Sequence, residues 1–520
     1  MATPHMGNAN CKERSPVSNL TEDDFVESVV CQESELAENE MKEVLLLGDQ
    51  KVLLVKQGGT ITAMGTKCTH YGAPLVKGAL GNGRVRCPWH GACFNIKTGD
   101  IEDFPGLDSV PCYEVKVEPG GQVRVRARRS DLTANKRVRG MARRDPNNNK
   151  TAIVVGGGGS GASCVETLRQ EGFTGRVVFV CKEPHLPYDR PNKGEPLKYD
   201  ALFLATGSDP REVKDYPGGE LKNIVTLRTT THANFISAEC KGKRAVVIGN
   251  SFIGMEAAAF LSDKASSVTV VGRSQVPFEA VLGREVGGRL QQLFTEHKVT
   301  VLGGRSLEKF TPSESDTSKV GAVVLTDGTV LPADLCVIGL GTIPATQYLD
   351  GTPVKLDSRT KTVVVDKHLS SSVPGIWAGG DIAATPLRLN DEDLKDIAIG
   401  HWQIAHYHGK VAGINMVATI KHRPEKSKEL KTVPFFWTMI FGKGVRYAGY
   451  GAGFDDVKII GDLADYKFAA YYLKKGKVVA IATMGKDPLA AQFAERLASQ
   501  LPPLTKEMLE QDPEGWTKNP

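Results

Sequence analysis

The chain has 520 residues, of which 41% are hydrophobic and 24% charged, and its net charge is +5. That length exceeds what one core supports and implies about three domains, while the composition is globular rather than disordered or collagen-like. No run of 18 apolar residues occurs, so no integral membrane segment is expected, and ten scattered cysteines without a Cys-x-x-Cys pair do not resemble a secreted disulfide framework.

Residues 1–25 are polar and expected to be disordered. They hold no apolar secretory core and are not Arg-rich, so a cytoplasmic location is expected, with a mitochondrial one as the alternative. From 26 to 128, short apolar runs such as Val44-Leu45-Leu46-Leu47 and Val52-Leu53-Leu54-Val55 alternate with Gly-Gly, Gly-Asn-Gly and Pro-Gly turns. This pattern predicts a small all-β domain. Residues 122–150 hold ten Lys or Arg against Asp131 and Asp145. The stretch 129–150 reads as a basic linker, either simply solvated or a docking patch for an acidic partner. No aromatic residue is interleaved in it, so nucleic acid is not an expected partner. At 151 the texture changes to strand, Gly-rich turn, helix and strand, once at 151–183 and again at 244–273, which predicts parallel α/β units. Aromatic-rich strands from 432 and a helix near 488–500 predict an α+β C-terminal domain, followed by a polar tail at 501–520.

Inside the β domain stand Cys68-x-His70 and, sixteen residues on, Cys87-x-x-His90. Structural zinc sites usually pair Cys with Cys and His with His in separate knuckles. Here each loop offers one of each. That mixture suits two chemically different irons, two thiolates on one and two imidazoles on the other, the ligand set of a Rieske [2Fe–2S] cluster. The stretch resembles the Rieske family directly. It departs from the high-potential members in having Ala73 and Trp89 where a disulfide would stand, and Ala92 and Phe94 where Ser and Tyr would donate hydrogen bonds. Fewer donors favour the oxidised cluster and imply a potential near the low end of the Rieske range, about −150 mV.

Ala152-Ile153-Val154-Val155 runs into Gly156-Gly157-Gly158-Gly159-Ser160-Gly161, a strand entering a GxGxxG turn and a helix. Gly156 permits the turn, Gly158 lets a pyrophosphate approach, and Gly161 allows close helix–strand packing. Glu183, at the end of the next strand, could accept ribose hydroxyls. The second copy, Gly249-Asn250-Ser251-Phe252-Ile253-Gly254, has Ser251 for the middle glycine and ends its next strand in Gly272-Arg273-Ser274. Arg273 either receives a 2′-phosphate, which permits NADPH, or is merely an exposed cation.

Two such folds in one chain resemble the pyridine-nucleotide flavoprotein reductases. Ala205-Thr206-Gly207 resembles the turn after the FAD-domain strand, and Gly341 lies in a segment like the family's return from the NAD domain. Gly380-Asp381 resembles the motif whose Asp holds the ribityl chain of FAD, and Arg190 in PYDRP would lie near the FAD phosphates. His401 and Trp437 sit in segments that resemble those around the flavin ring. A Rieske domain ahead of such a reductase resembles the Rieske-containing apoptosis-inducing-factor-like family. The resemblance implies FAD-binding parts at 151–243 and 346–431 around an NAD(P)-binding domain at 244–345, with 432–500 as an interface-like domain and a homodimer as a possibility. Only seventeen residues, 184–200, precede the strand leading to Ala205. A parallel crossover takes about a dozen residues, and the family adds a strand there, so a strand, its crossover and the flavin-side Lys are expected to be missing. The implied activity is electron transfer from NADH or NADPH through FAD to the cluster or to an unnamed external one-electron acceptor. No side-chain nucleophile or base is required, so no catalytic residue is proposed. The family name carries the alternative of a death-promoting signalling protein with a structural redox site.

Overall fold

The computed structural model describes residues 21–182, 197–389 and 392–517. They form two compact units, the first from the described residues up to 207, within 346–436 and from 487 on, the second from 208–345 and 437–486. The segment read as one C-terminal domain is therefore divided. Its strands after 436 belong to the second unit, and its helix, Leu489–Ala498, to the first.

The first unit opens with an antiparallel six-stranded sheet in the order Phe25–Gln32, Gln122–Arg128, Cys112–Val117, Thr60–Met64, Gln50–Gln57, Glu40–Leu47. Alternation buries Val123, Val125 and Ala127 on one face and leaves Arg124 and Arg126 on the other. Arg126 covers the Phe25 ring at the start of the first strand, 4.5 Å above its centroid, and donates to Glu22. Much of the basic excess is taken up locally: Arg124 pairs with Glu118, Arg137 with Asp100, Arg139 with Glu171 and Lys150 with Asp200. The stretch read as linker contains a short helix, Arg129–Ala134, closed by Asn135 at φ 46°. A second antiparallel sheet, Ala79–Gly81, Arg84–Arg86, Cys93–Asn95 and Ile101–Asp103, carries the cysteine–histidine loops.

Beyond it lies a parallel sheet in the order Arg176–Val180, Thr151–Val155, Ala201–Leu204, Ile376–Ala378. Chain order reverses between the second and third of these strands, which opens a crevice at their carboxyl ends. Among the described residues, Arg176–Val180 has one sheet neighbour only, where the family resemblance calls for a further strand. Helices Gly159–Gln170 and Trp402–Ile420 pack together at that crevice. They approach closely because a Cβ on Gly409 would collide with the Ser160 carbonyl, and one on Gly413 would sit 2.9 Å from Thr167. One apolar core runs unbroken from Phe94 and Phe104 of the β domain to Val154, Trp377 and Val411 of the α/β part.

The second unit is built on a five-stranded parallel sheet, Ile224–Thr226, Leu335–Ile338, Arg244–Ile248, Ser267–Val271 and Val299–Leu302. An antiparallel sheet of Lys443–Gly449, Lys477–Met484, Lys467–Lys474 and Asp456–Asp462 packs within it, and Tyr472 donates to the Leu282 carbonyl at 3.1 Å.

Candidate redox site

The two cysteine–histidine loops are the same six-residue device. In the first, the Cys68 N–H donates to Ala73 O at 2.8 Å and the Gly72 N–H to Cys68 O at 2.9 Å. In the second, the Cys87 N–H donates to Ala92 O at 2.7 Å and the Gly91 N–H to Cys87 O at 3.2 Å. Each needs a glycine at its fifth position, where φ is +75° for Gly72 and +74° for Gly91. Histidine stands two places after one cysteine and three after the other. The loops nevertheless bring both Nδ1 atoms to 3.1 Å from one another.

Cys68 and Cys87 are fully buried, whereas His70 and His90 are half-buried. The adjacent Cys87 thiol and burial push the Cys68 thiol far above its ordinary range, and the His70 and Tyr71 amides pull against that shift. Two thiolates side by side in an apolar pocket repel, and only a cationic centre makes both stable. Among the described residues no group of three or more such side chains converges on one ion. The donors come as a sulfur pair and a nitrogen pair, which fits a binuclear cluster. Phe104-Pro105-Gly106 closes over the first loop, where a Cβ on Gly106 would lie 3.6 Å from His70 Cβ and 3.2 Å from Thr69 Oγ1.

The crevice gathers residues from three distant segments. The turn residue Gly156 holds φ +116°, and a Cβ there would strike the Ala205 carbonyl. Gly158 caps the helix and has open space where a Cβ would be, and Gly161 packs on the Gly156 carbonyl. The helix N-terminus thus presents bare N–H groups to an anion. Gly207 is at φ +73°, and Thr206 Oγ1 lies 3.2 Å from Tyr348 Oη. Gly380 is at φ +71°, and its N–H donates to His408 Nδ1 at 3.1 Å. Asp381 is half-buried beside His401, whose imidazole burial lowers to about 4 against the pull of that carboxylate. Ser160 Oγ, Gln403 Oε1 and both His406 nitrogens are buried without a protein partner. Such orphaned groups suit a polar ligand such as FAD. Glu183 and Arg190 lie outside the described residues.

The second unit repeats the turn. Gly249 holds φ +121°, Gly254 packs on the Gly249 carbonyl, and Ser251 caps helix Phe252–Leu261. Arg273 is exposed at the end of Ser267–Val271. Gly341 is at φ +86°, and its carbonyl accepts from the Arg211 N–H at 2.9 Å. Trp437 is half-buried, and Thr438 beside it donates to Glu256 Oε1 at 2.5 Å.

Comparison with known proteins agrees with this geometry. Residues 26–114 match the Rieske [2Fe-2S] domain, and residues 189–409 match the pyridine nucleotide-disulphide oxidoreductase family. The chain is 41% identical over 527 residues to apoptosis-inducing factor 3 of Homo sapiens, covering 92% of this chain and 84% of that one. The chain belongs to the Rieske-containing apoptosis-inducing-factor family. It is also 30% identical to putidaredoxin reductase CamA of Pseudomonas putida over 59% of this chain and 71% of that one. A crystal structure of a covalent putidaredoxin reductase–putidaredoxin complex superposes with TM-score 0.63 at 25% identity, over 72% of this chain and 98% of that one.

As a member of this family the chain is an NAD(P)H-dependent flavoprotein oxidoreductase with a Rieske [2Fe–2S] cluster and FAD as its cofactors. Sequence reasoning missed Ser160, His406, His408, Asn250 and Glu256. Ser160 and Glu256 stand inside or beside the two Gly-rich turns and could have been found there. Asn250 Nδ2 donates to Ser274 O at 2.9 Å, and its side chain fills the space over Gly272. His406 and His408 carry no local signal; only their placement on Trp402–Ile420 turns them into the crevice.

Proposed function

We propose that the one-electron acceptor of this reductase is its own Rieske cluster. Bound FAD would supply the exchange between a two-electron hydride donor, NAD(P)H, and one-electron chemistry, and a Rieske cluster would supply a one-electron acceptor. The observation that carries this reading is the direct packing of the cluster loops on the flavin-side elements within one unit. A Cβ on Gly91, next to His90, would lie 2.7 Å from the Phe435 ring, so the loop rests on that ring. The Phe104 ring, on the segment that closes over His70, lies 5.2 Å from the His406 ring, which packs against Gly159 of the Gly-rich turn. Lys410, on the same helix as His406, donates to the Ile101 carbonyl of the cluster sheet. The solved relative joins putidaredoxin reductase to putidaredoxin in a covalent complex. Here the cluster domain is part of the chain, which supports an internal acceptor.

In this reading the chain's residues bind, orient and exclude water. The bare helix end at Gly158–Gly161 and Ser160 Oγ would hold the FAD pyrophosphate, and Asp381 its ribityl hydroxyls. Cys68 and Cys87 would hold one iron, His70 and His90 the other. The shared apolar core packs the cluster domain against the flavin-side elements. The test is rapid mixing of anaerobic protein with NADH or NADPH, following flavin absorbance and the EPR signal of the reduced cluster. Both signals should change, flavin first. Flavin bleaching with a silent cluster, while an external acceptor is reduced, would overturn the proposal.

A further inference from the structure

Glu495 lies on helix Leu489–Ala498, 409 residues beyond Arg86, yet its carboxylate sits inside the cluster domain. Arg86 Nε donates to Glu495 Oε1 and Arg84 Nε to Glu495 Oε2, at 2.5 and 2.8 Å. Arg86 Nη2 donates to Asp103 Oδ2 at 2.9 Å, and Thr432 Oγ1 to Asp103 Oδ1 at 3.2 Å. The Cys93 thiol, which burial keeps protonated, donates to Glu495 Oε1 at 3.7 Å. The side chains of Arg86, Asp103 and Glu495 are 0%, 4% and 2% exposed, and that of Arg84 is 19% exposed. The helix fits because residue 81 is glycine, where a Cβ would collide with the Glu495 carboxylate.

This set contains two cations and two anions, of which Arg86, Asp103 and Glu495 are shielded from water and salt. It is anchored to the second cluster loop at both ends. Arg86 directly precedes the ligand Cys87, and its Nη1 donates to the Gly91 carbonyl at 2.9 Å, one residue past the ligand His90. An unbalanced charge here acts on the cluster through a medium that screens it weakly. Reduction adds a negative charge, so an uncompensated arginine favours the reduced form, and an uncompensated carboxylate favours the oxidised form.

We propose that Glu495 is a positioning residue of the Rieske cluster: it orients the Arg86 guanidinium that holds the second ligand loop, and its charge sets the cluster potential low. The C-terminal helix thereby completes a redox centre whose ligands all lie near the front of the chain. This rests on the bound cluster and not on what reduces it. A chain whose cluster NAD(P)H fails to reduce would still answer the test.

The test is a redox titration of the full-length, cofactor-loaded protein, read by the EPR signal of the reduced cluster, with iron content and thermal melting alongside. E495Q keeps the size of the side chain and removes one anion, so the midpoint potential rises. R84Q removes one cation and lowers it. R84Q/E495Q restores balance and returns the potential towards the native value. A purely structural role would shift both single variants in the same direction and would make the double variant worse than either. That pattern, or an E495Q potential at or below the native one, overturns the proposal. If E495Q does not load iron, D103N and R84Q decide, since they must move the potential up and down respectively. Equal or same-direction shifts would refute it.

Discussion

The cluster site and the flavin site solve the same problem, holding a redox group away from water, by opposite routes. The four candidate cluster ligands come from one stretch of 23 residues, 68–90, in two copies of one hydrogen-bonded loop. The flavin crevice is assembled from three segments, at 156–161, 205–207 and 376–408, that meet only through a parallel sheet and a helix pair. The comparison teaches that a metal centre tolerates change around it as long as its short loops close. A nucleotide cradle depends on strands and helices that the sequence separates widely.

That difference can be broken from either side. The largest effect is expected from Cys87→Ser, which should abolish the cluster while leaving flavin bound. Iron, acid-labile sulfide and flavin content of the purified variant separate the two. Loss of flavin along with iron would show that the two sites fold as one.

Acid should weaken the flavin side specifically. His408 is buried, burial lowers it to about 4, and its Nδ1 accepts the Gly380 N–H. In the unfolded chain it titrates near 6.5, so on acidification the unfolded state binds the proton first. Stability is therefore complete above about pH 6.5 and falls as the pH drops towards 4, by roughly 3 kcal/mol for this one group. Thermal melting between pH 7 and 5 should show the loss, and His408→Gln, which retains an acceptor without a basic nitrogen, should make it shallower, with the buried His401 and His406 carrying the remainder. An unchanged slope in the variant would assign the acid sensitivity elsewhere.

Gly156→Ala tests the turn itself. The φ of +116° and the Ala205 carbonyl leave no room for a Cβ. Strain of about 1–3 kcal/mol corresponds to a loss of FAD affinity of roughly fivefold to somewhat over a hundredfold, with the cluster intact. Equilibrium dialysis against FAD would measure it. A smaller effect is expected from Phe104→Ala, which removes the ring facing His406. Cluster reduction should slow several-fold while flavin reduction by NADH keeps its native rate. Rapid mixing that gives identical cluster rates for both proteins would locate the electron path elsewhere, with Phe435 the next candidate.

Much of this was readable in order along the chain. The cysteines and histidines at 68, 70, 87 and 90 declare themselves because ligand spacing follows from a loop of fixed length. The two Gly-rich turns likewise declare themselves, since a backbone at positive φ and a close helix–strand contact leave glycine as the economical residue. The sequence also leaves only seventeen residues, 184–200, where a further strand and its crossover would stand, and most of them lie outside the described residues. The division of the C-terminal region was not readable. Residues 437–486 and 487–520 follow one another without a break in texture, yet the first group belongs with the nucleotide-binding sheet and the second with the cluster domain.

The sequence by itself determined the two cysteine–histidine loops and the two nucleotide turns, because each loop or turn depends on the backbone geometry of a few consecutive residues. Only the tertiary structure decided that Glu495 neutralises Arg86, that His406 meets Phe104, and that Gly91 rests on Phe435. A buried charge needs a partner wherever the chain can supply one, and nothing in local propensity says which distant helix will bring it.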